Sequence, residues 1–525
     1  MTTHSTRHHG KAKVALVNLA VTGVVLVGMY FLFPSILQDL VFDLGIRKGW
    51  YVLPWLIVGA VALSYYRNHP GIGPHNVAEH RRPLAVLVTL VVLAAIANIG
   101  VFATFDLMAY RLEVGRFAPR QGLIPASVEA TRFTPRANAC TDMSNSVSAT
   151  GEHVDCKYVQ PMITDHGFGY VAPITPSGII NTFLSKNPGF LRLDDAASVN
   201  GDPTRRLVRI DERQEVGQGM HWFDDVKYVL ARTDFFASYD TPHFLALDPT
   251  TPDVLTLVVP KIKYRYFRFP YWGGVVLIHS DGRVENLSAD EAMKDPRLAG
   301  KWIYPLSLAR RYVKLQNYAA GHGIMTPFVR LVGKFQIEDI PGNNEFPLLT
   351  RGADGRTYLV TATKGEGSAK GLFRMYFTDA TTGRTTYHQF GSHEVVYGVG
   401  ASLDRITNIP GYQWRHGDTG VMEAIEPVYI VRQHDPTLYW KFTITNLDHS
   451  GISATAVANA SRPDDVRVFT RRADFEAWLR GTETGPSGQG AQQQGTPEQA
   501  MLATLAGLEA QLKTLREQVT ALPGD

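Results

Sequence analysis

Apolar and polar positions divide the chain into three unlike regions. The first carries three long runs without a charge: VALVNLAVTGVVLVGMYFLF (14–33), WYVLPWLIVGAVALSYY (50–66) and LAVLVTLVVLAAIANIGVFATF (84–105). A helix that crosses the hydrocarbon layer needs about 20 apolar residues. The pattern therefore predicts a three-helix transmembrane anchor over 14–106 behind a short tail, 1–13. Trp50, Tyr51, Tyr65 and Tyr66 put aromatic residues at both ends of the short second run, where interfacial rings belong. Asn18 and Asn98 are the strongest polar residues inside the runs and suit hydrogen bonds between helices.

From 107 to 480 the period shortens. Runs of β-branched and aromatic residues alternate with turn clusters, and amphipathic helices interrupt them. One order recurs: a helix, two strands, then a hairpin. HWFDDVKYVLARTDFF, PHFLALDPTTPDVLTLVVPKI and WGGVVLIHSDGRVENLSADEA make a unit over 221–304. SLARRYVKLQNYAAG, with the stripe Leu308, Tyr312 and Leu315, opens a second over 305–391, closed by GLFRMYFTDATTGRTTYHQF. A third, over 392–480, starts from SHEVVYGVGASLDRITNI, where Val396, Val399, Leu403 and Ile406 share a face. Asp-Gly at 281–282 and 354–355 suits hairpin turns. In YWKFTITN, Trp440, Phe442 and Ile444 alternate with Lys441, Thr443 and Thr445, the pattern of a strand buried on one face only. A less regular unit falls inside the preceding region, 107–220, with TPSGIINTFLSKNPGF as its helix.

The last region is different again. GTETGPSGQGAQQQG (481–495) has the composition of a flexible linker. Beyond it Met501, Leu505, Leu508, Leu512, Leu515, Val519 and Leu522 follow the 4-3 spacing of a coiled-coil seam over 496–525. Self-association through this seam is the favoured expectation, and docking on the chain's own body is the alternative.

Charge sets the orientation. Arg7, Lys11 and Lys13 precede the first run, and Arg67, Arg81 and Arg82 lie between the second and third. Basic residues stay on the cytoplasmic side, so the N-terminus is expected inside and 107–525 outside a plasma (inner) membrane. A formal net charge of +3 on 525 residues offers no polyelectrolyte surface for nucleic acid. The two cysteines, Cys140 and Cys156, fit no zinc template. On the outer side of a membrane they form a disulfide; the alternative is a pair of free thiols.

The helix-then-meander order, with PVYIVRQHDPTLYWKF followed by GISATAVANASRPDDVRVF, resembles the cystatin-like and PepSY-like domains of bacterial envelope proteins. The wider arrangement, with MHWFDDVKYVL, GGVVLIHSDGRVENLS and FTDATTGRTTYHQF, is similar to uncharacterised multi-pass bacterial membrane proteins. The resemblance implies binding and peptidase regulation and carries no catalytic residue.

Known catalytic fingerprints are missing from the sequence: no H-E-x-x-H, G-x-S-x-G, Walker A or dinucleotide motif occurs. His4, His8 and His9 read as a solvated basic tail, and HNVAEH (75–80) as a solvated loop. Asp281, Asp379 and Asp435 occupy similar positions and read as turn formers. KIKYRYFRFPYW (261–272) reads as a strand with aromatic residues inward and Lys/Arg outward. The expected fold is thus a membrane-anchored α+β chain with tandem helix-plus-antiparallel-sheet repeats and a coiled-coil tail. The expected function is a non-enzymatic envelope protein that binds a partner or assembles, without catalytic residues, cofactor or metal. Its expected partners are the lipid bilayer, further copies of itself and an envelope protein. A regulator or inhibitor of an extracytoplasmic peptidase, and an enzyme with an unrecognised site, are the alternatives.

Overall fold

The computed structural model describes residues 6–42, 49–68, 81–127, 131–147, 149–164, 167–195, 205–320, 326, 334–340 and 346–482, apart from 249, 252, 267–268, 368, 392–393, 416–418, 433 and 463. The heptad stretch with Met501 to Leu522, the linker from 483 and the 75–80 histidines lie outside these residues, as do the side chains of Asn18, Asn98, Trp50, Tyr51, Tyr65 and Tyr66.

Four helices come first: α1 (Thr6–Leu32), α2 (Pro34–Leu40), α3 (Gly49–Asn68) and α4 (Arg81–Glu113). They correct the expected three-helix transmembrane anchor. Among the described residues no single helix, α4 included, is long and apolar enough to cross a membrane. The first apolar run is broken near its end. Pro34 has no N–H to give the preceding turn and its ring crowds that turn, so Ala20–Leu32 and Pro34–Leu40 meet at 117° and pass the length and composition test only as a bent pair. In the second run the apolar helix Pro54–Ser64 is about 11 residues long, roughly 16 Å at 1.5 Å per residue.

A mixed α+β body follows. After β1 (Phe117–Pro119) and α5 (Arg136–Ser146), the first sheet contains β2 (Glu152–His153), β3 (Gln160–Thr164), β4 (Gly167–Pro176), β5 (Gly189–Asp195) and β6 (Arg205–Ile210), ordered β2-β4-β5-β6 with β3 also on β4. α6 (Ile179–Leu184) is a short excursion whose Ile180 is exposed. The helix that packs on this sheet is α5, through Ala139, Cys140 and Met143 against Tyr170 and Leu191. The helix expected from TPSGIINTFLSKNPGF forms over Ile179–Leu184 only, and it is α5 that joins the core on this sheet. A disulfide joins Cys140 to Cys156, Cα–Cα 5.4 Å, and pins α5 to the loop before β3.

α7 (Val226–Thr233) precedes the second sheet: β7 (Ser238–Tyr239), β8 (His243–Ala246), β9 (Leu255–Arg265), β10 (Phe269–Ile278) and β11 (Val284–Leu287). Gly282, at φ 84°, makes the β10–β11 turn, and Gly274, at φ 112°, lies where a Cβ would stand 2.0 Å from the Leu287 carbonyl oxygen. α8 (Ala289–Lys294) and α9 (Leu306–Leu315) lead to the third sheet, β12 (Phe335–Ile337), β13 (Leu348–Arg351), β14 (Thr357–Gly365), β15 (Leu372–Asp379) and β16 (Thr385–Gln389). β1 joins it in parallel beside β16. α10 (Val399–Ile406) precedes the fourth sheet, the meander β17 (Met422–Arg432), β18 (Asp435–Asn446), β19 (Ile452–Asn459) and β20 (Val466–Phe469), and α11 (Arg472–Arg480) closes the body.

β18 departs from the one-sided pattern. Trp440, Phe442 and Ile444 enter the main core as expected, but Lys441, Thr443 and Thr445 are buried too, at 1%, 0% and 0% exposure. A strap, 131–138, covers their face together with α11. Lys441 donates to the Arg132 and Phe133 carbonyls (2.7 and 3.1 Å) and to Thr443 Oγ1; Asn138 donates to Thr445 Oγ1. Phe133 packs among Ile430, Val457, Phe475 and Trp478. Arg132 pairs with Glu426, whose other oxygen accepts the Arg136 N–H at 2.7 Å. Asp195, at the end of β5, accepts the Phe133 and Thr134 N–H groups and pairs with Arg472 at 2.9 Å, which in turn meets Glu476. Three cations thus face three carboxylates away from water. Burial still lowers the Lys441 ammonium to about 8. Glu426 takes φ 54° within a bulge between Ile425 and Val428. Bulges of this kind re-aim side chains, and this one turns the carboxylate onto the strap.

Two further buried groups are shifted in opposite directions. His243 lies flat on Trp302, ring centroids 3.8 Å apart, and its Nε2 is 2.7 Å from the Trp302 carbonyl oxygen; burial pushes its imidazole down to about 4. Glu338 sits under the start of α10, accepting the Gly400 N–H at 3.3 Å, and burial pushes its carboxyl up to about 7.

E426Q leaves Arg132 uncompensated and is expected to cost about 3–5 kcal/mol in urea unfolding, whereas R132M/E426L costs less than the sum of its parts by at least ~1 kcal/mol. Strictly additive losses would remove the case for a coupled pair. Between about 6.5 and 4 the unfolded chain binds a proton that folded His243 refuses, so that contribution is lost on acidification. Between about 4.5 and 7 folded Glu338 keeps a proton that the unfolded chain releases, so that contribution is lost as pH rises. Each amounts to about 3 kcal/mol. H243Q is expected to make stability fall from pH 4.5 to 7 relative to wild type, and E338Q to make it rise; parallel profiles for all three proteins would contradict the assignment.

Candidate functional site

The aspartates singled out in the sequence act within their turns. Asp281 accepts the Arg283 N–H, Asp379 those of Thr381 and Thr382, and Asp435 that of Thr437, each within its own turn. His279 contacts Glu285 at 2.8 Å, and Arg297 and Arg283 reach the same carboxylate, held down to about 2 chiefly by its bond to Arg297. This is a local ion network that ties β10, β11 and the turn after α8. Among the described residues no group of three or more His, Cys, Asp or Glu side chains converges as a metal site.

The features that stand out lie where the helices meet the body. Many of the aliphatic side chains described along α1, α3 and α4 are exposed, Val24 72%, Leu63 69%, Leu56 61% and Ile96 59%, while Ala94 and Ala109 are buried. Soluble monomers seldom leave contiguous apolar patches beyond a few hundred Å².

The bend after Leu32 leaves the last carbonyls of α1 without helical donors, and the body supplies them. Tyr228 Oη donates to the Phe31 carbonyl at 3.0 Å and Trp222 Nε1 to that of Leu32 at 3.1 Å. The favour is returned at the C-terminal end of α7, where Gln38 Nε2 faces the carbonyls of Asp234, Phe235 and Ala237 at 3.3, 3.0 and 2.8 Å. Rings line the same seam. Tyr30 meets Phe235, Phe33 stacks on Trp222, Phe42 meets Tyr264 and Phe105 meets Phe269, all with centroids within 6.0 Å.

Further rings on this side face outward: Trp222, Phe223, Phe236 and Tyr266, the last 80% exposed at the tip of the β9–β10 hairpin. Trp222 and Tyr266 both hold positive φ, 57° and 52°. A bulky residue there is a conformational outlier that costs about 1–3 kcal/mol. Basic groups accompany them: Lys227 on α7, Lys263 beside Asp234 (3.0 Å), Arg265 over the Tyr271 ring, and Arg311 beside Asp106 of α4 (3.2 Å).

The sequence carried this signal in the aromatic pairs Trp222-Phe223 and Phe235-Phe236 on either side of α7. That stretch was expected only as the helix that opens the first unit. The stretch 261–272, expected as one strand, is instead a hairpin: β9 ends at Arg265 and β10 starts at Phe269, Lys261 is buried beside Asn286, and Tyr266 points out.

No protein-family model matches the chain, and no curated protein matches it.

Proposed function

We propose that the protein is held at a lipid bilayer by the apolar surface of α1–α4, with its α+β body standing outside the plasma membrane as a non-enzymatic binding or assembly module. The observation that carries this reading is the uncharged, outward-facing helix surface bounded by a rim of exposed aromatic and basic side chains. Hydrocarbon accepts such a surface, and the headgroup layer accepts Trp and Tyr rings with Lys and Arg among them. The disulfide between Cys140 and Cys156 favours the oxidising side of the membrane. The four sheets, each with a helix against or beside it, serve in this reading as tandem units that present one continuous surface to an envelope partner. The heptad stretch with Met501, Leu505, Leu508, Leu512, Leu515, Val519 and Leu522 joins copies.

Full-length protein mixed with phospholipid vesicles is expected to float with them in a density gradient, in high salt as well as low, because burial of apolar surface is insensitive to screening. Recovery in the dense fraction at either salt would overturn the membrane reading. For assembly, sedimentation of the detergent-solubilised full chain is expected to give an oligomer that a deletion of 496–525 reduces to a monomer; a monomeric full chain overturns that part alone.

A further inference from the structure

A cavity of about 320 Å³ opens at the α1–α2 bend. Leu32, Phe33 and Ser35 form one wall, and Trp222, Lys227 and Tyr228 the other, with His221 and Asp225 also at its surface. We propose that this cavity takes the phosphoethanolamine headgroup of a membrane phospholipid; the proposal rests on the bilayer reading above.

The chemistry of the walls selects the headgroup. Lys227 is exposed and, among the described residues, has no acid within ion-pair distance, so its ammonium is available to a phosphate. The Ser35 hydroxyl lies on the opposite wall as a second donor. Asp225 places a carboxylate in the same cavity; one of its oxygens accepts the Lys227 N–H at 2.6 Å, which fixes the side chain at the start of α7. A phosphate alone meets repulsion there, whereas a headgroup that carries an ammonium two carbons from its phosphate satisfies both charges. A primary ammonium can donate hydrogen bonds to the Asp225 carboxylate, which a quaternary ammonium cannot do, and this favours ethanolamine over choline headgroups. The tails have a path outward, because Phe31 and Ile36, next to the cavity wall, are exposed on the apolar side.

The test uses full-length protein in phosphatidylcholine vesicles that contain a minor fraction of phosphatidylethanolamine bearing a photoreactive group near its glycerol. Adducts mapped by mass spectrometry are expected within 31–36 and 221–228. Unlabelled phosphatidylethanolamine is expected to suppress them, and phosphatidylglycerol to suppress them far less. K227E, an exposed change checked for wild-type circular dichroism, is expected to reduce these adducts about fivefold. Adducts spread over the helices with none at the cavity, equal competition by phosphatidylglycerol, or no loss in K227E would each overturn the headgroup site. Flotation of the same samples separates the two claims: protein that floats without cavity adducts defeats the site alone, and protein that does not float defeats both.

Discussion

The body depends on one polar seam, the strap over 131–138 laid against the second face of β18. A β-sheet with one wet face would have left Lys441, Thr443 and Thr445 in water. Here they lie under the strap, and each finds an acceptor or donor on it. The seam joins residues about 300 positions apart, so it ties the first sheet to the last. Its charges balance, and that balance makes the burial tolerable: desolvating an ion costs several kcal/mol unless a partner and hydrogen bonds replace the water. Glu426 serves three groups at once, the Arg132 guanidinium, the Arg136 N–H and the Tyr170 hydroxyl, and only the bulge that gives it φ 54° brings it within their reach. Apolar residues of similar size would bury as well. The charged set instead admits only one register of the strap on the sheet, because a slip by one residue strands Lys441 and Asp195 without partners.

What the sequence revealed and what it hid follow from how far apart the interacting residues are. Hairpins and the stripes of α9 and α10 were legible because turn chemistry and helical periodicity act over a few residues: Gly282 makes the turn, and Leu308, Tyr312 and Leu315 are buried. Asp281, Asp379 and Asp435 proved to be turn formers for the same local reason. The strap was not legible. Alternation along YWKFTITN says that its polar positions point away from the apolar core, and they do; it cannot say that residues 131–138 cover them. α5 was missed because RANACTDMSNS has little apolar content, and its place in the core comes from Ala139, Met143 and the disulfide rather than from a stripe. The apolar runs of the first region were read by length alone. Their length did not reveal that Pro34 would bend the first run, nor that the body would cap the carbonyls left at the bend.

That capping makes the bend part of the body's fold. A helix end with free carbonyls is unstable away from water, and the pair formed by α1 and α2 would straighten or fray without Tyr228 and Trp222. Conversely, the carbonyls at the C-terminal end of α7 rely on Gln38, which is 7% exposed. The two elements therefore complete each other. The helices do not hang from the body by a tether: their orientation relative to α7 is set by hydrogen bonds on both sides of the seam and by the ring pairs around it.

The same reciprocity bears on why strain collects where it does. Four described residues other than glycine hold positive φ, and two of them, Trp222 and Tyr266, are aromatic residues beside the helices. In Trp222 the unusual backbone accompanies a contact, with the indole N–H on the Leu32 carbonyl and the ring stacked on Phe33 and Phe223. Among the described residues, the Tyr266 ring meets Phe269 edge-on and stays 80% exposed. A strained backbone persists when something outside the local chain returns the energy. For a ring that water surrounds, the return has to come from a surface that prefers aromatic groups to water. In the proposed membrane-bound state, the headgroup layer of a bilayer would be such a surface for Tyr266.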